Sequence, residues 1–142
     1  MCQLVSTTNS LIASIDRGVS MHVTVLDFSK AFDRVSHGLL IDKLHDIGID
    51  TLIIEWISNF LSNRYQMVVI NGDSTSPLAV TSGVPQSSVL GPSLFLVYVN
   101  DIGSSLRHSS IGLFADDALL YCLIQNTGDM VSFQWNLSSL EQ

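Results

Sequence analysis

Two adjacent acids, Asp116 and Asp117, stand inside an otherwise apolar run, Ser110-Ile-Gly-Leu-Phe-Ala-Asp-Asp-Ala-Leu-Leu-Tyr-Cys-Leu-Ile124. The apolar flanks read as two short buried strands, and the Ala115-Asp116-Asp117 step reads as the tip of the hairpin between them. Like charges side by side repel, and burial raises that cost. A divalent cation removes it, because hard carboxylate oxygens are what Mg²⁺ takes as ligands. Aspartate is also common in solvated turns. On the pair alone, a metal site and a plain turn both stay open.

A further acid bears on the choice. Met21-His-Val-Thr-Val-Leu-Asp27 runs as a β-rich segment, ends in Asp27 and turns toward a helix. An acid at the carboxyl end of a strand is where α/β folds place their chemistry. If strand and hairpin meet, Asp27 and Asp116, with Asp117 beside them, suit two Mg²⁺ ions. Such a pair clamps the attacking and leaving oxygens of an in-line phosphoryl displacement.

The elements that would position these acids follow from periodicity and turn chemistry. Residues 4–17 carry Leu4, Leu11, Ile12 and Ile15 at helical spacing, ending near Gly18. Residues 37–48 and 51–61 read as amphipathic helices, with Asp50 as N-cap of the second. Tyr65–Ile70 switches to strand character, Asn71-Gly72 signals a hairpin, and Leu78–Thr81 is the expected return strand. Ser82–Ser88 reads as a loop. Val89–Asn100 reads as a buried helix with Gly91-Pro92 in its first turn. Residues 127–142 start a helix. The layout is α+β: helices packed on one face of a small antiparallel sheet.

Composition bounds the rest. At 142 residues, with 46% hydrophobic and 13% charged, the chain is one domain or part of one and has the makings of a buried core. Its longest apolar stretch, Val89–Val99, is too short to span a bilayer, and Met1-Cys2-Gln3 lacks a basic signal-peptide region. Cys2 and Cys122 show neither ligand spacing nor a disulfide framework, which favours an intracellular setting without separating nucleus from cytoplasm. Cys122 is expected in the core, as are Trp56 and Trp135. His22, His37, His45 and His108 are too scattered for zinc. The net charge of −7, with only six Lys and Arg, is unusual for a chain that handles phosphates. Either the partner is not a nucleic acid, or the basic surface lies elsewhere.

The ordered segments are similar to the palm of reverse transcriptases from non-LTR (LINE-type) retrotransposons. Leu26-Asp-Phe-Ser-Lys-Ala-Phe-Asp-Arg-Val-Ser-His37 resembles the family's first palm motif, and Trp56-Ile-Ser-Asn-Phe-Leu-Ser-Asn-Arg-Tyr-Gln66 its helix leading into a hairpin. Ser82-Gly-Val-Pro-Gln-Ser-Ser-Val-Leu-Gly-Pro92 resembles the second motif, and Phe95–Asp101 with Phe114-Ala-Asp-Asp117 complete the set. The resemblance covers nearly the whole of residues 1–142. It implies a polymerase palm with a small, RRM- or ferredoxin-like antiparallel sheet, read as a partial reverse transcriptase domain without complete fingers or thumb.

The activity implied is RNA-templated DNA synthesis. The partners would be an RNA template, a DNA primer and deoxynucleoside triphosphates, with no membrane. Two Mg²⁺ ions, or Mn²⁺ in their place, would be held by Asp27, Asp116 and the Phe28 carbonyl, with Asp117 supporting the site at the primer end. The metals would lower the pKa of the primer 3′-hydroxyl and neutralise the triphosphate. Phe32 matches the aromatic that excludes a 2′-hydroxyl, Gln86 the glutamine that touches the nucleotide, and Ser87 is its neighbour.

Ser87 stands where the family has glycine, so Ser87→Gly is expected to raise the activity of a complete enzyme. Ala118 and Leu119 stand where a polar and a basic residue are usual. The basic fingers and helical thumb that would flank the palm are not found, which accounts for the acidic charge and predicts little activity from the chain alone. One alternative is a non-catalytic palm remnant that self-associates through exposed apolar surface. A phospho-acceptor receiver domain also uses three acids, a lysine and Mg²⁺, but its adjacent pair comes early and its lysine last, the reverse of the order here.

Overall fold

The computed structural model describes residues 3–104, 106, 109–114 and 117–140. Its elements are α1 (Gln3–Asp16), β1 (Ser20–Asp27), a 3₁₀ turn (Phe32–Arg34), α2 (His37–Asp46), α3 (Thr51–Leu61), β2 (Tyr65–Gln66), β3 (Val69–Ile70), β4 (Asp73–Ser74), β5 (Leu78–Ala79), α4 (Gly91–Val99), β6 (Ser110–Phe114), β7 (Asp117–Ile124) and α5 (Thr127–Leu140). The class is α+β with small antiparallel sheets, as the periodicity implies. Two compact units divide the chain: Met1–Ser29 with Asn100–Gln142, and Lys30–Val99. No helix among the described residues is long and apolar enough to cross a membrane.

The first unit is built on a sheet of order β1-β7-β6. β1 and β7 pair antiparallel from Ser20↔Ile124 to Asp27↔Asp117. Burial alternates along β7: Ala118, Leu120 and Cys122 are buried, while the residues between them are less so. Cross-strand partners share a face, so Leu120 and Cys122 lie with Thr24, His22 and Ile111. On that side α5 docks through Phe133, Leu137 and Leu140. Its Phe133 ring meets His22 edge-on at 5.8 Å. Asn136, wholly buried on α5, donates to the Ser109 hydroxyl at 2.7 Å, which satisfies a polar group taken out of water. The opposite face of the sheet is open around Val25, which is 70% exposed, and Val23 and Leu123 are exposed as well, while Met21 and Tyr121 are half-buried and line a cleft with α1.

α1 contacts β1 and β6, but two residues of the expected apolar stripe face away. Ile12 and Ile15 point to solvent, and Thr7 and Ser14 are the buried residues. Small side chains let the helix approach closely, and Ser14 satisfies its hydroxyl on the Ser10 carbonyl.

In the second unit α2 packs on both α3 and α4, so these three helices make a core of their own. The spacing of the buried residues explains it. Leu40 and Leu44 on α2, Ile54, Ile57 and Leu61 on α3, and Leu94, Phe95 and Val99 on α4 each form one face. Lys43 ties α2 to α4, donating to the Tyr98 carbonyl with its ammonium 5.0 Å from that ring's centre. The Asp50 carboxylate accepts from the Leu52 N–H at 2.9 Å, the expected N-cap.

The hairpin turns at Asn71-Gly72, both at positive φ. It pairs in two short pieces, β3 with β4 and β2 with β5. The return therefore begins at Asp73, earlier than Leu78, and lapses before Pro77, which has no N–H for the ladder. α4 starts at Gly91, two residues after the expected Val89. Trp56 and Trp135 are each 56% exposed, against the expectation of core packing. Both lie outside the buried stripe of their helices, and Trp56 stacks on Phe60.

Candidate functional site

Asp27 ends β1 and Asp117 opens β7, and the two are direct cross-strand partners. Asp117 is also the partner of Phe114 on β6, so it lies between the other two strands at one end of the sheet. Alternation puts Asp27 on the same face as Val23 and Val25, the open one. Both carboxyl residues are exposed. Directly opposed residues on paired strands hold their Cβ atoms about 4.5–5.5 Å apart, so two carboxylates here repel unless a cation lies between them. Hard oxygen donors at an exposed sheet end suit a divalent ion. Asp116 and Ala115 lie outside the described residues. Among those described, no cluster of three or more His, Cys, Asp or Glu forms a ready metal site.

Phe28 follows Asp27 and is half-buried. The other expected site residues, Phe32, Gln86 and Ser87, belong to the second unit. Phe32 opens the 3₁₀ turn, and its ring stacks on Phe95 of α4 with centroids 4.5 Å apart and planes 22° from parallel. That contact fixes the ring in one orientation. Gln86 and Ser87 are exposed at the turn after Pro85. Ser87 is not among the non-glycine residues at positive φ, so serine takes that backbone without left-handed strain.

Residues that the motif reading passed over hold this loop. The Ser82 hydroxyl donates to the Asp33 carbonyl at 2.8 Å. The Gly83 and Val84 N–H groups donate to the Val35 and Phe32 carbonyls, each at 2.8 Å. The His37 Nε2 hydrogen-bonds the Gly83 carbonyl at 2.8 Å. A carbonyl can only accept, so Nε2 carries the proton. His37, expected only as a helix-start residue, is a clamp between two motifs. Gly83 sits at φ +88, and a Cβ there would come within 2.8 Å of the Asp33 backbone. At Gly91 a Cβ would come within 2.1 Å of the Pro85 carbonyl oxygen. Ser88 completes the link, donating to Pro85 at 2.7 Å and accepting from the Gly91 N–H at 2.9 Å. The two glycines of the Ser82–Pro92 segment were the available signal. Ser87 stood out as the anomaly instead, whereas Gly83 and Gly91 carry the packing.

The family model described as reverse transcriptase (RNA-dependent DNA polymerase) matches residues 5–134. The chain is 29% identical over 116 residues to a retrovirus-related Pol polyprotein from a type-1 retrotransposable element R2 of Popillia japonica, covering 73% of this chain and 19% of that protein. It is 30% identical over 122 residues to a probable RNA-directed DNA polymerase from transposon BS of Drosophila melanogaster, covering 80% of this chain and 13% of that one. With the RNA-directed DNA polymerase from mobile element jockey of Drosophila melanogaster, identity is 38% over 77 residues, covering 54% of this chain and 8% of that protein. The chain thus spans less than a fifth of the length of these relatives.

Proposed function

This chain belongs to the reverse transcriptase (RNA-dependent DNA polymerase) family, and from that premise we propose that it forms the palm at which a non-LTR retrotransposon polymerase joins deoxynucleotides to a primer 3′-hydroxyl. The observation that supports the reading best is the register: Asp27 opposes Asp117, the residue after Asp116, at an exposed sheet end. In this reading Asp27, Asp116 and the Phe28 carbonyl hold two divalent ions, Mg²⁺ or Mn²⁺. When bound, the ions supply charge neutralisation on the triphosphate and activation of the 3′-hydroxyl. Asp117 supports the site from the ladder position opposite Asp27. Phe32, held flat on Phe95, presents a rigid wall against a ribose 2′-hydroxyl, where a clash discriminates more sharply than a missing contact. Gln86, with Ser87 beside it, offers the nucleotide a neutral donor and acceptor. RNA template, DNA primer and deoxynucleotides are the partners.

The test is Mn²⁺ titration of the 142-residue chain by calorimetry, with deoxynucleotide present. Wild type is expected to bind, and Asp27→Asn and Asp116→Asn each to lose binding by at least tenfold. Equal binding in all three would refute the site. Primer extension on an RNA template is expected to be negligible from the chain alone, and robust synthesis would show that no further segment is required.

A second reading has its own support. Tyr65, Met67, Val68, Val69, Ile70 and Leu78 on the hairpin are all more than half exposed. A flat apolar ribbon of that kind favours self-association of a non-catalytic module. Sedimentation at micromolar concentration separates the readings: a 15.5 kDa monomer that binds Mn²⁺ favours the first, a dimer without metal binding the second.

A further inference from the structure

A cleft of about 360 Å³ opens within the second unit, between the foot of the β2–β5 ribbon and the 79–86 segment. Lys30, Arg64, Gln66 and Gln86 line it, and Asp33 is the acid among its described lining residues. Two cations against one carboxylate stand out in a chain with six Lys and Arg against thirteen Asp and Glu. The backbone of both cationic residues is anchored. The Arg64 carbonyl accepts from the Val80 N–H at 2.9 Å, which fixes the residue to the cleft wall. Lys30 adopts φ +54, and its carbonyl accepts from the Asp33 and Arg34 N–H groups. A lysine takes that left-handed backbone only where its surroundings impose it.

The Arg64 guanidinium is incompletely satisfied. Its Nη1 is buried and has no hydrogen-bond partner among the described residues. A buried N–H without an acceptor is costly, and more so when it is charged. The complement of a guanidinium fork is a group with several anionic oxygens. We infer that this cleft binds a phosphate group, with Arg64 as the forked donor, Lys30 as the second positive charge and the Gln66 and Gln86 amides as neutral donors. Asp33 opposes a lone anion, so the two cations act together. The phosphate belongs either to a nucleic-acid strand or to a nucleotide. That choice of ligands rests on the polymerase reading, but the cleft does not depend on the metal site, since neither Asp27 nor Asp117 lines it.

The test uses the 142-residue chain in EDTA at low salt, with a fluorescently labelled single-stranded RNA followed by anisotropy. Deoxycytidine triphosphate and inorganic phosphate serve as competitors in separate arms. Arg64→Gln is expected to weaken RNA binding about tenfold, the scale of one charge-assisted hydrogen bond. It is also expected to lower the slope of log K against log salt by about 0.7, one phosphate contact on a single strand. Lys30→Gln, at an exposed position, should act in the same direction and carries the test if Arg64→Gln melts early. EDTA removes divalent ions from every sample, so a failure of the metal site is read separately, in the Mn²⁺ titration. Effects confined to RNA assign the cleft to a strand, and effects confined to triphosphate competition assign it to a nucleotide. Wild-type affinity and salt slope in both Arg64→Gln and Lys30→Gln, or no phosphate ligand bound by the wild type, overturns the inference.

Discussion

Gly83 carries more of the site than its absence of a side chain suggests. It combines φ +88 with backbone 2.8 Å from where a Cβ would stand. Gly83→Ala therefore meets both a left-handed penalty and an overlap that no rotamer relieves. We expect a loss of about 2–3 kcal/mol, the upper range for strain and overpacking, read as a lowered urea midpoint. Ser87 is the contrast. Its backbone is not left-handed, so Ser87→Gly removes no strain and costs about 0.4–1 kcal/mol through the unfolded chain. Any gain in primer extension by a complete enzyme carrying that change would come from clearing space beside Gln86. An unchanged rate would dispose of that steric account. His37 belongs with Gly83, because its ring holds the same loop from the other motif.

Among the elements, α3 has a start held by a side-chain cap. The Asp50 carboxylate takes up one of the helix's free N–H groups. Asp50→Ala should cost about 1 kcal/mol, measurable by urea titration, while Asp50→Asn should recover most of it. The strands were legible for different reasons. β7 showed as an apolar run and β1 as a β-branched run ending in an acid, and each is long enough for period and composition to agree. The hairpin was legible at its turn, because Asn71-Gly72 tolerates the backbone required there, but not along its length. Pairing there stops and restarts around Pro77, and an exposed ribbon has no buried face to mark its register. α1 misled for a related reason: Ile12 and Ile15 are on the solvent side, and Thr7 and Ser14 are buried instead.

At the scale of the molecule, each unit has its own core, and Cys122 reports on that of the first. Burial pushes its thiol above the ordinary 9.0, with Asp129 adding to the rise and a hydrogen bond with Ser109 opposing it. A raised folded value means that the native state holds the proton more tightly than the unfolded chain does. The resulting stability is complete below pH 9.0 and is lost as pH rises through the folded value. Urea titrations of wild type and Cys122→Ala should therefore differ by a constant amount below pH 9.0 and converge above it; a difference independent of pH would remove the thiol from the account. The sequence by itself determined the family, the order of the elements and the candidate acids, because motif spacing and hydrophobic period are local properties of the chain. It could not determine that Asp27 faces Asp117 residue for residue, since register is set by which faces are buried across strands ninety residues apart. Nor could it assign Gly83, Gly91 and His37 to holding the motif loop, or bring Lys30 and Arg64 to one cleft. Those follow from close approaches between backbone segments, and only the folded chain makes them.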